Sequence, residues 1–431
     1  MSRLARPDEP TVITFDKGVD TRSRETKLAQ GFVRDAVNVD ISDQGGVMRR
    51  RGYRKIIDAT TKIHSLWTDF RVPGLYYMDG GELLWTDTTR IESLGTIGHA
   101  PTSFCYHAGQ VYLTNTFGTF RIDGSGLTQL GVPTPPLPRV TAVDTGGMHE
   151  GHYQITLTAI TGTGEESGAS SAVSVKVPQG GGIELTDIPI GDVTAFRVYC
   201  TDTNGEVLYA VADVSNGTTT HTITHDRQRG AVLETLAMQP LPAGQYIRSY
   251  RGRLYIAEDN VIMWSEPLRY GLHNPAYNFL EIPDYITMFE PVAEGIYVGT
   301  PQEAVFLFGP DPHEWEYRVV DRRGVIEGSA TQVPREVLLP EDPRTVQLSG
   351  SHFVCWMNTN ETQMVGYPAG DIRPVTVRSH RGKNYAQAAA SYVENRGIHQ
   401  VLTIMKDSIG RSSNARSSDR VSSRVIPPEV N

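Results

Sequence analysis

Cysteine is scarce: Cys105, Cys200 and Cys355 are the three thiols among 431 residues. They are odd in number, far apart and form no CxxC pair, which argues against a disulfide framework or a thiolate metal site. Each lies in a strand-like apolar run and reads as a buried, reduced thiol. No apolar run approaches the roughly 18 residues of a membrane span. The first ten residues lack the apolar stretch of a signal peptide. Helical periodicity is nearly absent as well.

Catalytic signatures are missing in the same way. There is no P-loop, no G-x-S-x-G elbow and no Asp-rich box of the propeller sialidase kind. His149-Glu150-Gly151-His152 lacks the i, i+4 histidines of a zinc-binding helix. His221 and His225 would lie about 13 Å apart along one strand, too far to share a metal. Gly162-Thr163-Gly164-Glu165-Glu166-Ser167-Gly168 misses the dinucleotide spacing, and its glutamates would repel phosphate. The expectation is a protein that is not an enzyme and takes no cofactor and no metal. Carboxylates paired across a propeller mouth stay open at this stage.

What is present is turn chemistry and alternation. Gly (42) and Pro (26) exceed the usual share without a collagen period, so the excess belongs in turns. Val37, Val39 and Ile41 alternate with Asn38 and Asp40. Asp43-Gln44-Gly45-Gly46 turns the chain, and Val47 opens a returning strand into Arg49-Arg50-Arg51-Gly52-Tyr53. This predicts a hairpin.

A degenerate repeat follows: a turn glycine, a strand carrying aliphatic residues and Tyr, a short turn, then another apolar strand. It occurs at Gly74-Leu75-Tyr76-Tyr77, Gly109-Gln110-Val111-Tyr112-Leu113, Gly252-Arg253-Leu254-Tyr255-Ile256 and Gly295-Ile296-Tyr297-Val298. Weaker copies are His352-Phe353-Val354-Cys355-Trp356 and Gly397-Ile398-His399-Gln400-Val401-Leu402. A period of about 40–50 residues built from short strands predicts a β-propeller of about six blades. Trp67, Trp85, Trp264 and Trp356 recur near strand ends and read as blade-core residues.

The spacing between the second and third copies leaves room for an insertion. Pro133-Thr134-Pro135-Pro136-Leu137-Pro138 is a stiff linker. Alternating runs follow at Tyr153, Ile155, Leu157 and Ala159, at Val173, Val175 and Val177, and at 196–200 and 207–209; Pro240-Leu241-Pro242 closes the segment. These strands predict an inserted β-sandwich of fibronectin type III or immunoglobulin type. The fold class expected is therefore all-β. The parts are an N-terminal arm (1–35), the first part of the propeller (36–134), the inserted sandwich (135–242), the rest of the propeller (243–405) and a flexible Ser/Arg-rich tail (406–431).

The net charge of −9 is unevenly spread. Residues 1–62 carry 13 Lys and Arg against 9 Asp and Glu, and 406–431 carry 5 against 3. The body between them holds 22 basic and 37 acidic residues. Such a body does not grip a polyanion, since phosphate neutralisation needs clustered cations. The densest basic cluster is Arg49, Arg50, Arg51, Arg54 and Lys55. It reads as a solvated hairpin edge, as a contact for an acidic partner, or as a phosphate contact.

Asp16-Lys17-Gly18-Val19-Asp20, Leu28-Ala29-Gln30-Gly31, Ala36-Val37-Asn38-Val39-Asp40 and Gly46-Val47-Met48-Arg49-Arg50-Arg51-Gly52-Tyr53 together resemble the opening of tail nozzle, or packaged-DNA stabilisation, proteins of short-tailed bacteriophages. Arg51 stands where that family has proline before its glycine–tyrosine pair. The resemblance implies a structural virion protein that forms a sixfold homo-oligomeric ring below the portal and adaptor. Such a ring would retain and then pass double-stranded DNA without tight binding, and would carry or contact tail fibres or spikes. It also implies a location in the virion tail, with assembly in the host cytoplasm, and a partner-contact role for Arg49, Arg50, Arg51, Arg54 and Lys55. A receptor- or glycan-binding propeller and a propeller glycoside hydrolase remain the alternatives.

Overall fold

The computed structural model of the chain describes residues 15, 17–20, 23–36, 39–41, 46–49, 52, 55–124, 126–225, 229–334, 352–375, 385–395, 398–407 and 421–425. The fold is all-β, of propeller blades with an inserted sandwich. Among the described residues the only helical elements are two single turns, Glu25–Lys27 and Pro312–Glu314. None is long and apolar enough to cross a membrane.

The chain divides into two compact units. Residues 59–282 hold three four-stranded antiparallel sheets and the sandwich. The first blade runs through Ile63–Asp69, Val72–Asp79, Glu82–Thr86 and Ile91–Thr96. The second runs through Ser103–His107, Gln110–Asn115, Gly118–Asp123 and Gly126–Gln129. The third comprises Tyr246–Tyr250, Arg253–Glu258, Val261–Trp264 and, after an excursion, Phe279–Glu281.

The second unit joins residues 1–58 to 283–431. Its fourth blade is Met288–Pro291, Gly295–Gly299, Ala304–Phe308 and Glu316–Asp321. The fifth is Thr331–Pro334, His352–Met357, Gln363–Gly366 and Ile372–Pro374. A sixth sheet has Tyr385–Asn395, Ile398–Asp407 and Val421–Val425. The last of these pairs antiparallel with Gln400–Ile404, so this stretch of the Ser/Arg-rich segment is a strand, not the free tail expected of it. The rest of 408–431 lies outside the described residues.

The second strands of blades two to five are buried on both faces, and alternation assigns each of their residues to one seam. Phe104, Val111 and Leu113 pack with Tyr76, Met78 and Leu83 of the first blade. Their neighbours Cys105 and Tyr112 point the other way, to Ile247, Leu254 and Ile256 of the third. Val354 and Trp356 join Tyr297 and Phe306 of the fourth blade, whereas Phe353 and Cys355 face Val401 of the sixth sheet. Each such side chain contributes roughly 1.5–3 kcal/mol by leaving water. The expected core role of Trp264 and Trp356 holds, and Trp67 stacks on Phe104 with ring centroids 5.7 Å apart.

The repeat glycines serve two ends. Gly109 and Gly252 have φ of +86° and +75° and follow Ala108 and Arg251, also at positive φ, in two-residue hairpin loops. Gly295 instead allows close approach: a Cβ there would meet the Leu307 carbonyl oxygen at 2.3 Å.

The sandwich has a three-stranded sheet (Arg139–Met148, Gly181–Thr186, Thr220–Ile223) and a four-stranded one (Val173–Val177, Gly151–Ile160, Ala195–Thr201, Leu208–Ser215). Tyr153, Ile155, Leu157, Ile183, Leu185, Val198 and Cys200 fill the space between them. Alternation puts Thr156 and Thr158 on the opposite face, but both are buried. The segment 166–170 covers them: the Thr156 hydroxyl donates to the Ser170 carbonyl at 2.6 Å and the Thr158 hydroxyl to the Glu166 carboxylate at 2.7 Å. The segment leaving the sandwich packs back on it, with the Thr235 carbonyl accepting from the Ala169 N–H, and Gly131, just before the sandwich, is set against Gly271 of the third blade's excursion.

Candidate functional site

The expected hairpin is present. Val39–Ile41 pairs antiparallel with Val47–Arg49, with Val39 opposite Arg49 and Ile41 opposite Val47. It forms a sheet of two strands, with no third strand beside it among the described residues. Isolated two-stranded hairpins are marginally stable in water, so this one gains from a partner. Its returning strand is solvent-facing throughout: Val47 is 49% exposed, Met48 51%, and Arg49 is exposed too. Arg49 makes no ion pair or side-chain hydrogen bond among the described residues.

The rest of the basic cluster is divided. Lys55 is exposed and forms an ion pair with Asp58, three residues on. Its charge is thus partly satisfied within the chain, although such an exposed pair holds it weakly. Arg50, Arg51 and Arg54 lie outside the described residues, as do Asp43, Gln44 and Gly45 of the turn. The N-terminal arm has local order of its own. Gly18–Val19 pairs parallel with Phe32–Val33, and the buried Asp20 accepts a hydrogen bond from the Ser23 N–H at 3.0 Å.

A second exposed feature has no counterpart in the sequence reading. The outer strand of the third blade, Phe279–Glu281, pairs with Val261–Met263 on one side and has no strand on the other among the described residues. Phe279 is 44% exposed, Glu281 is exposed and two positions on, and the flanking Tyr277 and Tyr285 are exposed as well. Glu281 has no ion pair or hydrogen-bonded side-chain partner among the described residues. The alternation of Phe279, Leu280 and Glu281 marks a strand, but cannot tell an edge from an interior strand.

Several buried carboxylates accept hydrogen bonds from neighbouring groups. Asp79 accepts from the N–H and hydroxyl of both Thr60 and Thr61, which hold its carboxyl down at about 2. Asp321 accepts from Arg323 at 2.8 Å and from Asn358 at 3.2 Å. Glu290 accepts from Gln332 at 3.0 Å. Burial pushes the Glu361 carboxyl up to about 7. At the seam of the second and third blades, the His107 Nδ1 meets the Ser249 hydroxyl at 2.6 Å and the ring packs edge-on against Tyr270. Burial lowers the His107 pKa, so the ring favours its neutral form.

None of the three thiols is in a disulfide and all are buried, and burial pushes Cys105 and Cys355 up to about 12. His149, His152 and His225 are exposed and scattered, and His221 is half-buried. Among the described residues no three His, Cys, Asp or Glu side chains gather as a metal site would require. A shallow cleft at an end of the sandwich is lined by Cys200, Asp202, Tyr209, His225 and Arg229, among others. Arg229 lines it, paired with Asp202 at 2.7 Å and lying over the Tyr209 ring.

No family model and no curated protein matches this chain. Solved structures superpose on it loosely. An ancestral GH74 enzyme shares 12% identity at a TM-score of 0.23, covering 81% of this chain and 48% of its own. The extracellular domain assigned to a one-component system of B. thetaiotaomicron shares 10% at 0.24, covering 87% and 51%. PorZ, a surface component of the type-IX secretion system of Porphyromonas gingivalis, shares 11% at 0.20, covering 85% and 60%. The chain thus spans about half the length of the first two. Superpositions this loose transfer no property to it.

Proposed function

We propose that this chain is a structural subunit of the tail of a short-tailed bacteriophage, assembling with copies of itself into a ring that continues the DNA exit channel below the portal and adaptor. The observation that carries the reading is the hairpin 39–49. It bears the residues that resemble the nozzle family, and it presents two half-exposed apolar side chains and Arg49 on a sheet of only two strands. A hairpin of that kind gains stability when another surface covers it.

Charge supports the same role. A body with 37 acidic against 22 basic residues repels phosphate, so DNA passes without being held. Screening over about 8–10 Å confines that repulsion to near contact. The role is structural rather than catalytic, and its place is the virion.

The test is the mass of the assembled particle, measured for the protein alone and with its portal and adaptor. The expected result is a cyclic oligomer with negligible affinity for duplex DNA at physiological salt. A protein that stays monomeric in both settings, or that binds duplex with a steep salt slope, refutes the reading. A second reading, a receptor- or glycan-binding propeller, is favoured by the exposed aromatic residues Tyr277, Phe279 and Tyr285. Specific retention of the monomer on a glycan or on host envelope would select it.

A further inference from the structure

We propose that the basic hairpin of one copy docks on the outer strand of the third blade, Phe279–Glu281, of the next copy. This rests on the assembly reading above and names the contact that builds it. The two surfaces are complementary in three respects.

The first is shape. Both are β-strands with a backbone edge that no other strand covers among the described residues, so the N–H and C=O groups along them can pair strand to strand. The second is apolar content. Val47 and Met48 are half-exposed on one side, and Tyr277, Phe279 and Tyr285 are exposed on the other. The third is charge. Arg49 lacks an acidic partner and Glu281 lacks a basic one among the described residues, and both stand on the strands that would meet. Within the sequence Arg49 is followed by Arg50 and Arg51, and Glu281 by Asp284.

The geometry of such a contact has a consequence for the assembly. The hairpin and the blade edge are different surfaces, so each copy would offer one and receive the other. A head-to-tail contact of this kind generates a ring when its rotation closes, whereas a contact between identical surfaces stops at a dimer. The pairing therefore suits a ring in a way that a self-complementary patch would not.

The experiment is a charge exchange on the full chain. Arg49→Glu and Glu281→Arg are made singly and together, and assembled mass is followed against concentration. All the changed side chains are exposed, so an unchanged far-UV spectrum is expected of each variant. Each single variant should need about tenfold more protein to assemble, and the double variant should recover most of that loss. A second measurement reads the contact directly: Val47→Cys and Phe279→Cys chains, prepared separately and mixed under oxidising conditions, should give a two-chain product on a non-reducing gel. Assembly of the unaltered protein with neither a charge-exchange effect nor the mixed disulfide would overturn this contact and leave the ring reading standing. Failure of the unaltered protein to assemble at all would overturn both.

Discussion

Glu361 offers the sharpest test of how this fold handles a buried carboxyl. It sits in a turn of the fifth blade with φ of +58° and is only 5% exposed. Burial raises its carboxyl from 4.5 to about 7. The group therefore holds its proton more tightly in the folded chain than in the unfolded one. The folded state must lose stability as pH rises from about 4.5 to about 7, and the loss levels off above that range. One pKa unit corresponds to about 1.36 kcal/mol, so the full shift sets an upper limit near 3 kcal/mol. The effective dielectric around such a group, well above that of dry protein, reduces this to about 1–2 kcal/mol. Glu361→Gln keeps the size and the backbone but removes the titration. The variant should match the unaltered protein at pH 4 and exceed it at pH 8 by that amount. Thermal melts across this range provide the assay, with about 2–4 °C expected per kcal/mol. Parallel pH profiles for the two proteins would refute the reasoning, as would a variant that is weaker at every pH.

Three further outcomes follow from other parts of the molecule. Leu113, fully buried at the seam of the first two blades, should cost about 2–5 kcal/mol when changed to Ala, read by chemical denaturation; a loss below 1 kcal/mol would mean the seam is not packed as described. Gly252→Ala meets no neighbouring atom, so its effect isolates the left-handed backbone, and a loss of about 1–2 kcal/mol is expected; no loss would mean the loop has another conformation. Asp79 is held near 2 in the folded chain, so its tie to Thr60 and Thr61 should survive above pH 4 and fade as pH falls toward 2. Asp79→Asn should accordingly speed proteolysis near residues 58–61 at neutral pH, and unchanged cleavage would remove Asp79 from that role.

Local patterns in this chain carried the fold class. Runs such as Val111-Tyr112-Leu113 show that a strand is buried on both faces, and Gly109 and Gly252 mark tight hairpin loops, because period and left-handed φ are properties of a few adjacent residues. The hairpin at 39–49 was legible for the same reason. What tertiary structure alone decided is which neighbour each face meets. It sent Phe104 to one seam and Cys105 to the other, and it laid 166–170 over Thr156 and Thr158, whose alternation promised solvent. It also brought Val421–Val425 back beside Gln400–Ile404, and it left Phe279–Glu281 at an edge. Sequence reports the period of a strand but not how many strands lie beyond it. Pairing across long separations depends on contacts that no short stretch encodes, and the free edges proposed to join the copies are set by that pairing.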